Sequence, residues 1–131
     1  MICTLNKKER AEIRKRIFLH LDGWALTPTI YNLKQLNILS LFIEKKQWKL
    51  SKLSSITQAN EGYLNVALRI LASQGYLNRK VNNELDEIDL EITDLGLQAF
   101  ELSEHYDVFY LLMKNYIVRP GNIISESANI K

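Results

Sequence analysis

The sequence predicts a mainly α-helical chain with a small β-hairpin, arranged as a winged helix-turn-helix with flanking N- and C-terminal helices. Three observations carry that prediction. A brief helix, a turn and a longer capped helix follow one another between Ser51 and Gln74. After Gly75 the apolar period changes from helical to two, with Ile88, Leu90 and Ile92 alternating with Asp89 and Glu91. Helical patterns stand on both sides of this block. At 131 residues the chain reads as one domain: a basic helix over 7–21, a winged-helix core over 22–100, a C-terminal helix over 101–118 and a flexible tail over 119–131.

In the first segment Ala11, Ile13, Ile17, Phe18 and Leu21 recur near helical spacing. Six basic residues against two acids leave Lys7 to Leu21 at +4. Asp22-Gly23 is expected to end this helix, because glycine readily takes the left-handed conformation that closes one. Thr27 then reads as the N-cap of a second helix and Pro28 as its first residue, with Ile30, Leu33 and Leu36 as the buried stripe. Ile38 to Lys45 is a short apolar helix, and Trp48-Lys49-Leu50 a small strand.

Ser51 caps the brief helix that holds Leu53 and Ile56, and a turn over Thr57 to Asn60 leads to the longer one. That helix is capped by Asn60, turns Leu64, Ala67, Leu68 and Leu71 inward, and ends at Gly75. Tyr76-Leu77 begins a strand, Val81 to Glu84 form a polar turn, and the return strand runs through Ile92. Thr93 caps a helix through Leu95, Leu97 and Phe100, which continues or restarts through Leu102 and Tyr106 to Tyr116, until Pro120-Gly121 stops it.

Composition limits the function classes. Hydrophobic residues at 47% and charged residues at 24% describe a globular chain, and a net charge of +2 does not announce a nucleic-acid binder. The single cysteine, Cys3, excludes an internal disulfide and a cysteine metal cage. No apolar run approaches the roughly 18 residues of a membrane span, and the N-terminus lacks a signal-peptide core. A cytoplasmic protein with no membrane partner is expected.

Neither His20 nor His105 has a metal partner at helical spacing, and Asp107, two residues from His105, falls on another helix face. The wing carboxylates lack the central glycine of a calcium loop. Gly-rich phosphate loops, G-x-S-x-G and H-E-x-x-H are all absent. No catalytic, cofactor or metal residue is therefore expected, and the chain alone is not expected to be an enzyme.

A winged helix that reads DNA needs base-contacting side chains on its second helix and cations beside the backbone. Asn65, Arg69 and Gln74 are the candidates for base edges. From Asn78 to Asp94, however, six acids stand against Arg79 and Lys80, a net of −4. Such a wing is expected to repel phosphates, so nucleic acid is not the expected partner. Two other surfaces are offered to partners. Arg10, Arg14 and Lys15 form a cationic face for an acidic protein, and Tyr106, Phe109, Met113 and Tyr116 form an aromatic face for a homodimer.

A longer run of residues carries a family resemblance. It comprises Leu21-Asp22-Gly23-Trp24, Thr27-Pro28-Thr29, Leu36-Asn37-Ile38-Leu39, the stretch Ala59 to Leu71, Ser73 to Leu77, and Ile92-Thr93-Asp94-Leu95-Gly96. From Asp22 to Phe100 the chain resembles the N-terminal winged-helix region of class I S-adenosylmethionine-dependent methyltransferases. The nearest likeness is to the methyltransferase domains of modular polyketide synthases. The resemblance implies a non-catalytic module for dimerisation and for substrate or acyl-carrier-protein recognition, placed before a methyltransferase domain. The chain departs from the family by stopping at Lys131. S-adenosylmethionine is expected only where a catalytic domain follows. The alternative function is a winged-helix DNA-binding transcriptional regulator.

Overall fold

The computed structural model describes residues 4–117. In chain order they form α1 (Lys7–Gln35), α2 (Ile38–Glu44), β1 (Gln47–Lys49), α3 (Leu50–Thr57) and α4 (Glu61–Ser73). These are followed by β2 (Leu77–Asn82), β3 (Glu87–Ile92), α5 (Asp94–Glu101), α6 (Glu104–Leu112) and a π-helical turn, Met113–Ile117. The architecture is the predicted mainly helical winged helix, with α3 and α4 as the helix-turn-helix and β2–β3 as the wing. Strand β1 adds a third member, giving an antiparallel sheet of order β1-β3-β2.

The core lies where α2, α3, α4 and the second half of α1 meet. Phe42, Ile30, Ile38, Leu53, Leu68 and Leu71 are fully buried there. Leu77, Leu90 and Ile92 close it from the sheet and Phe100 from α5, with the Phe42 and Phe100 rings edge to face at 6.3 Å.

Local signals explain most of the element ends. Asn60 accepts from the Tyr63 amide at 3.1 Å at the start of α4, and Gly75, at φ 78°, turns the chain out of it. Thr93 accepts from the Gly96 amide at 2.9 Å while its hydroxyl donates to the Gly75 carbonyl at 2.6 Å. One side chain thus ties the end of α4 to the start of α5. Gly96 permits this approach, since a Cβ there would lie 2.0 Å from the Tyr76 carbonyl oxygen.

Four expectations are corrected. The helix expected to stop at Leu21 runs unbroken through Asp22, Gly23, Thr27 and Pro28 to Gln35. Burial of Leu26, Ile30 and Leu33 holds the second half helical. The hydrogen bond that Pro28 cannot donate is the one to Trp24, on the exposed part of the helix. Thr27 is not a cap; its hydroxyl donates back to the Gly23 carbonyl at 2.7 Å. Leu36, expected in the buried stripe, is exposed.

Next, Val81 and Asn82 belong to β2, paired with Ile88 and Glu87, so the turn lies at residues 83–86. Asp86 takes the positive φ there, 49°. Third, Ser51 does not cap α3, whose N-cap is Lys49. Fourth, Leu50, expected in the small strand, opens α3 instead; of the two courses left open after Thr93, the chain restarts, with α6 beginning after the buried Ser103. Cys3, the Pro120-Gly121 stop, the tail over 119–131 and the Tyr116 side chain lie outside the described residues.

Candidate functional site

The exposed side of α4 carries Tyr63, Val66 and Arg69, with Tyr63 at 80% exposure. None of the three is needed for the core. Asn65 points elsewhere: its Oδ1 accepts from Arg79 Nη2 at 3.0 Å and from Nε at 3.3 Å, clamping β2 to the helix. Gln74 is the C-cap of α4, at the opposite end from Tyr63. Of the three residues expected to meet bases, only Arg69 therefore stands on the outward face.

Strand pairing places cations beside part of the wing's negative charge. Cross-strand pairing sets Lys49 of β1 and Lys80 of β2 on either side of Asp89, the neighbour geometry in which opposite charges attract. Gln47 and Asn78 flank Glu91 in the same way. Glu87 is turned to structural use. Its carboxylate accepts from the Ser51 hydroxyl at 2.9 Å and from the Ser51 amide at 3.4 Å, in the first turn of α3. The Ser51 hydroxyl, more than any other neighbour, holds that carboxyl below its usual range. Asp94 begins α5, where the helix N-terminus favours a negative charge. Glu84 and Asp86 lie in the exposed turn. The register thus sets cations beside one of the six wing carboxylates and Ser51 engages a second, while Glu84, Asp86, Glu91 and Asp94 stay exposed.

A cleft of about 950 Å³ lies between the sheet and the exposed side of α3. Lys45, Lys49, Lys52, Arg79 and Lys80 line it, against Asp89 and Glu91. Trp48 sits in its wall, with its indole N–H donating to the Leu41 carbonyl at 3.0 Å. Lys45 Nζ lies 4.8 Å from the centre of that ring. Sequence reading missed this cleft, because its cations come from the end of α2 and from β1, α3 and β2, and are brought together only by the fold.

A second surface lies on the flanking helices. Residues 6–25 are all exposed, including Arg10, Arg14 and Lys15. The same stretch exposes Ile13, Ile17, Phe18, Leu21 and Trp24. The second half of α1 packs against α6 in antiparallel order through a Lys34–Asp107 ion pair and a Tyr31–Tyr110 stack at 3.9 Å. The expected aromatic face divides. The Tyr106 hydroxyl bonds to that of Tyr76 at 2.9 Å and its ring packs on the core. Burial, reinforced by Tyr76, pushes the Tyr106 phenol well above its usual range. Met113 is half-buried, while Phe109 is exposed beside Val108.

His20 and His105 are both exposed. Among the described residues no group of three or more His, Cys, Asp and Glu could hold a metal ion. No described helix is long and apolar enough to cross a membrane.

Comparison with known proteins agrees with this geometry. Residues 13–79 match the family model of the AprA N-terminal domain. No curated protein matches the sequence. Among solved structures, a transcriptional regulator homologue from Pyrococcus horikoshii OT3 is 17% identical with a TM-score of 0.51, over 66% of this chain and 88% of that one. Reduced AbfR bound to DNA is 15% identical with a TM-score of 0.46, over 83% and 92%. A MarR protein from Peptoclostridium difficile DA00132 is 19% identical with a TM-score of 0.45, over 88% and 79%. At such identities the likeness to the Pyrococcus protein is one of fold alone.

Proposed function

The chain belongs to the AprA N-terminal domain family, and we propose that it is a non-catalytic, dimeric winged-helix module that lays α4 and the hairpin along duplex DNA. The observation that supports this most is the strand register, which interleaves Lys49 and Lys80 with the carboxylate of Asp89. The surface beside α4 can then approach phosphates that a wing of bare carboxylates would repel. Arg69 supplies a base-reading side chain, and Tyr63 and Val66 supply apolar contact. The fold shared with the Pyrococcus regulator homologue supports the reading by analogy. Pairing of two copies is supported by the exposed apolar residues of α1 and α6.

Titration of a mixed-sequence duplex at increasing salt tests the proposal. Log affinity should fall linearly with log salt, and Arg69→Ala should weaken binding by about 1–3 kcal/mol if its guanidinium meets a base. Absence of binding at low salt would overturn the reading.

One observation favours a second reading, the exposure of Arg10, Arg14 and Lys15 on the first half of α1. Together with the methyltransferase resemblance it supports a module that precedes a catalytic domain using S-adenosylmethionine and receives an acidic acyl carrier protein. Arg14→Glu with Lys15→Glu should then weaken carrier binding at low salt, and unchanged affinity would remove this reading.

A further inference from the structure

The cleft beside α3 has the size and chemistry of a small-molecule site. Its volume of about 950 Å³ lies at the upper end of the roughly 300–1,000 Å³ usual for ligand pockets. Lys49 and Lys80 pair with the same residue, Asp89, from opposite sides, so their backbones stand about 10 Å apart at the usual strand spacing. Side chains as long as lysine's can converge from there on one anionic group. Lys52 approaches the same space from α3.

Asp89 and Glu91 line the cleft too. They offset part of the cationic charge and offer acceptors to a ligand's hydroxyl or amine groups. Trp48 also lines the cleft, its ring packed against the core and beside Lys45, close enough to report on what binds there.

We infer that this cleft binds a small phosphorylated organic molecule, with its phosphate among Lys49, Lys52 and Lys80. The ligand's hydrogen-bond donors meet Asp89 and Glu91. This site goes beyond the DNA reading and does not require it, although both rest on the chemistry of phosphate. A DNA backbone is the other source of that group, and the experiment separates the two.

The probe is adenosine monophosphate, titrated at low salt into the full chain carrying Trp24→Phe, which leaves Trp48 as the reporter indole. Saturable binding with a change in Trp48 fluorescence is expected. Adenosine, which lacks the phosphate, should fail to bind. Lys52→Gln with Lys80→Gln changes two exposed side chains and should weaken binding roughly tenfold or more, with unchanged circular dichroism confirming the fold. A second variant, Lys49→Gln, should act in the same direction, whereas Lys114→Gln, an exposed residue outside the cleft, should have no effect.

Equal binding of adenosine, or undiminished binding of the nucleotide by both cleft variants, would overturn the inference. So would loss of duplex binding in the cleft variants with no nucleotide binding to the parent chain; that result makes the cleft a DNA-backbone contact and leaves the DNA reading standing. Nucleotide binding without any duplex binding supports the site and overturns the DNA reading instead.

Discussion

The two halves of α1 contain similar proportions of apolar residues, but the first carries almost all of the helix's charge, and they live in different surroundings. From Leu26 to Leu33 the helix places Leu26, Ile30 and Leu33 in the core. From Lys7 to Trp24 no residue is buried, and Ile17, Phe18 and Leu19 each leave more than half of their surface in water, at 51%, 56% and 62%. The core is complete without the first half, so the helicity there rests on its capping box, its connection to the packed half and whatever covers its apolar residues. Burial fixes one half of the helix; the other is left for contact.

The sharpest way to break this comparison is to truncate one side chain from each half's environment. Phe42→Ala removes a fully buried ring from the core that also holds Ile30 and should cost about 3–5 kcal/mol in urea unfolding. Ile17→Ala should change the stability of the dilute chain by less than about 0.5 kcal/mol. A comparable loss at Ile17 would mean that the first half is packed in solution.

Two glycines give the next largest contrast. At Gly96 an added Cβ meets the Tyr76 backbone, so Gly96→Ala should destabilise by about 1–3 kcal/mol or more. At Gly23 a Cβ meets nothing within 4 Å, and Gly23→Ala should strengthen the exposed helix by about 0.5–1 kcal/mol. The caps sharpen the same difference on a smaller scale. Asn60→Ala should lower global stability by about 1 kcal/mol. Asn6→Ala, at the capping box of α1, should fray the first turn in hydrogen exchange without moving the unfolding midpoint.

The smallest expected effect is at alkaline pH. The fold raises the Tyr106 phenol above its ordinary value of 10.0, chiefly by burial and then through Tyr76. The unfolded chain therefore loses this proton first as pH rises. Stability from this group is present below about pH 10 and is lost as pH climbs toward the raised value. Tyr106→Phe should flatten that alkaline decline in a pH series of unfolding curves.

Much of the fold was legible because its signals are local. Asn60, Gly75 and Thr93 act at the ends predicted for them, and the alternation from Ile88 to Ile92 is the return strand. Asp22-Gly23 and Thr27-Pro28 misled for a physical reason: termination signals are weak beside the burial of Leu26, Ile30 and Leu33, which keeps the helix going. The candidate site was less legible. Arg69 could be picked from its position on α4, but Asn65 could not be known to hold Arg79. Charge summed along the hairpin missed Lys49, which is distant in sequence and is set opposite Asp89 only by β1–β3 pairing. Tyr106 was grouped with Phe109 by aromatic type, and the hydroxyl of Tyr76 separates them.

The length of α1 has one more consequence. At 1.5 Å per residue, the exposed stretch Lys7–Trp24 reaches roughly 27 Å along its axis. It is a strut, and any molecule docked near its tip is held at a set remove from the cleft beside α3. Deleting whole helical turns from it would therefore change spacing while leaving both surfaces chemically intact.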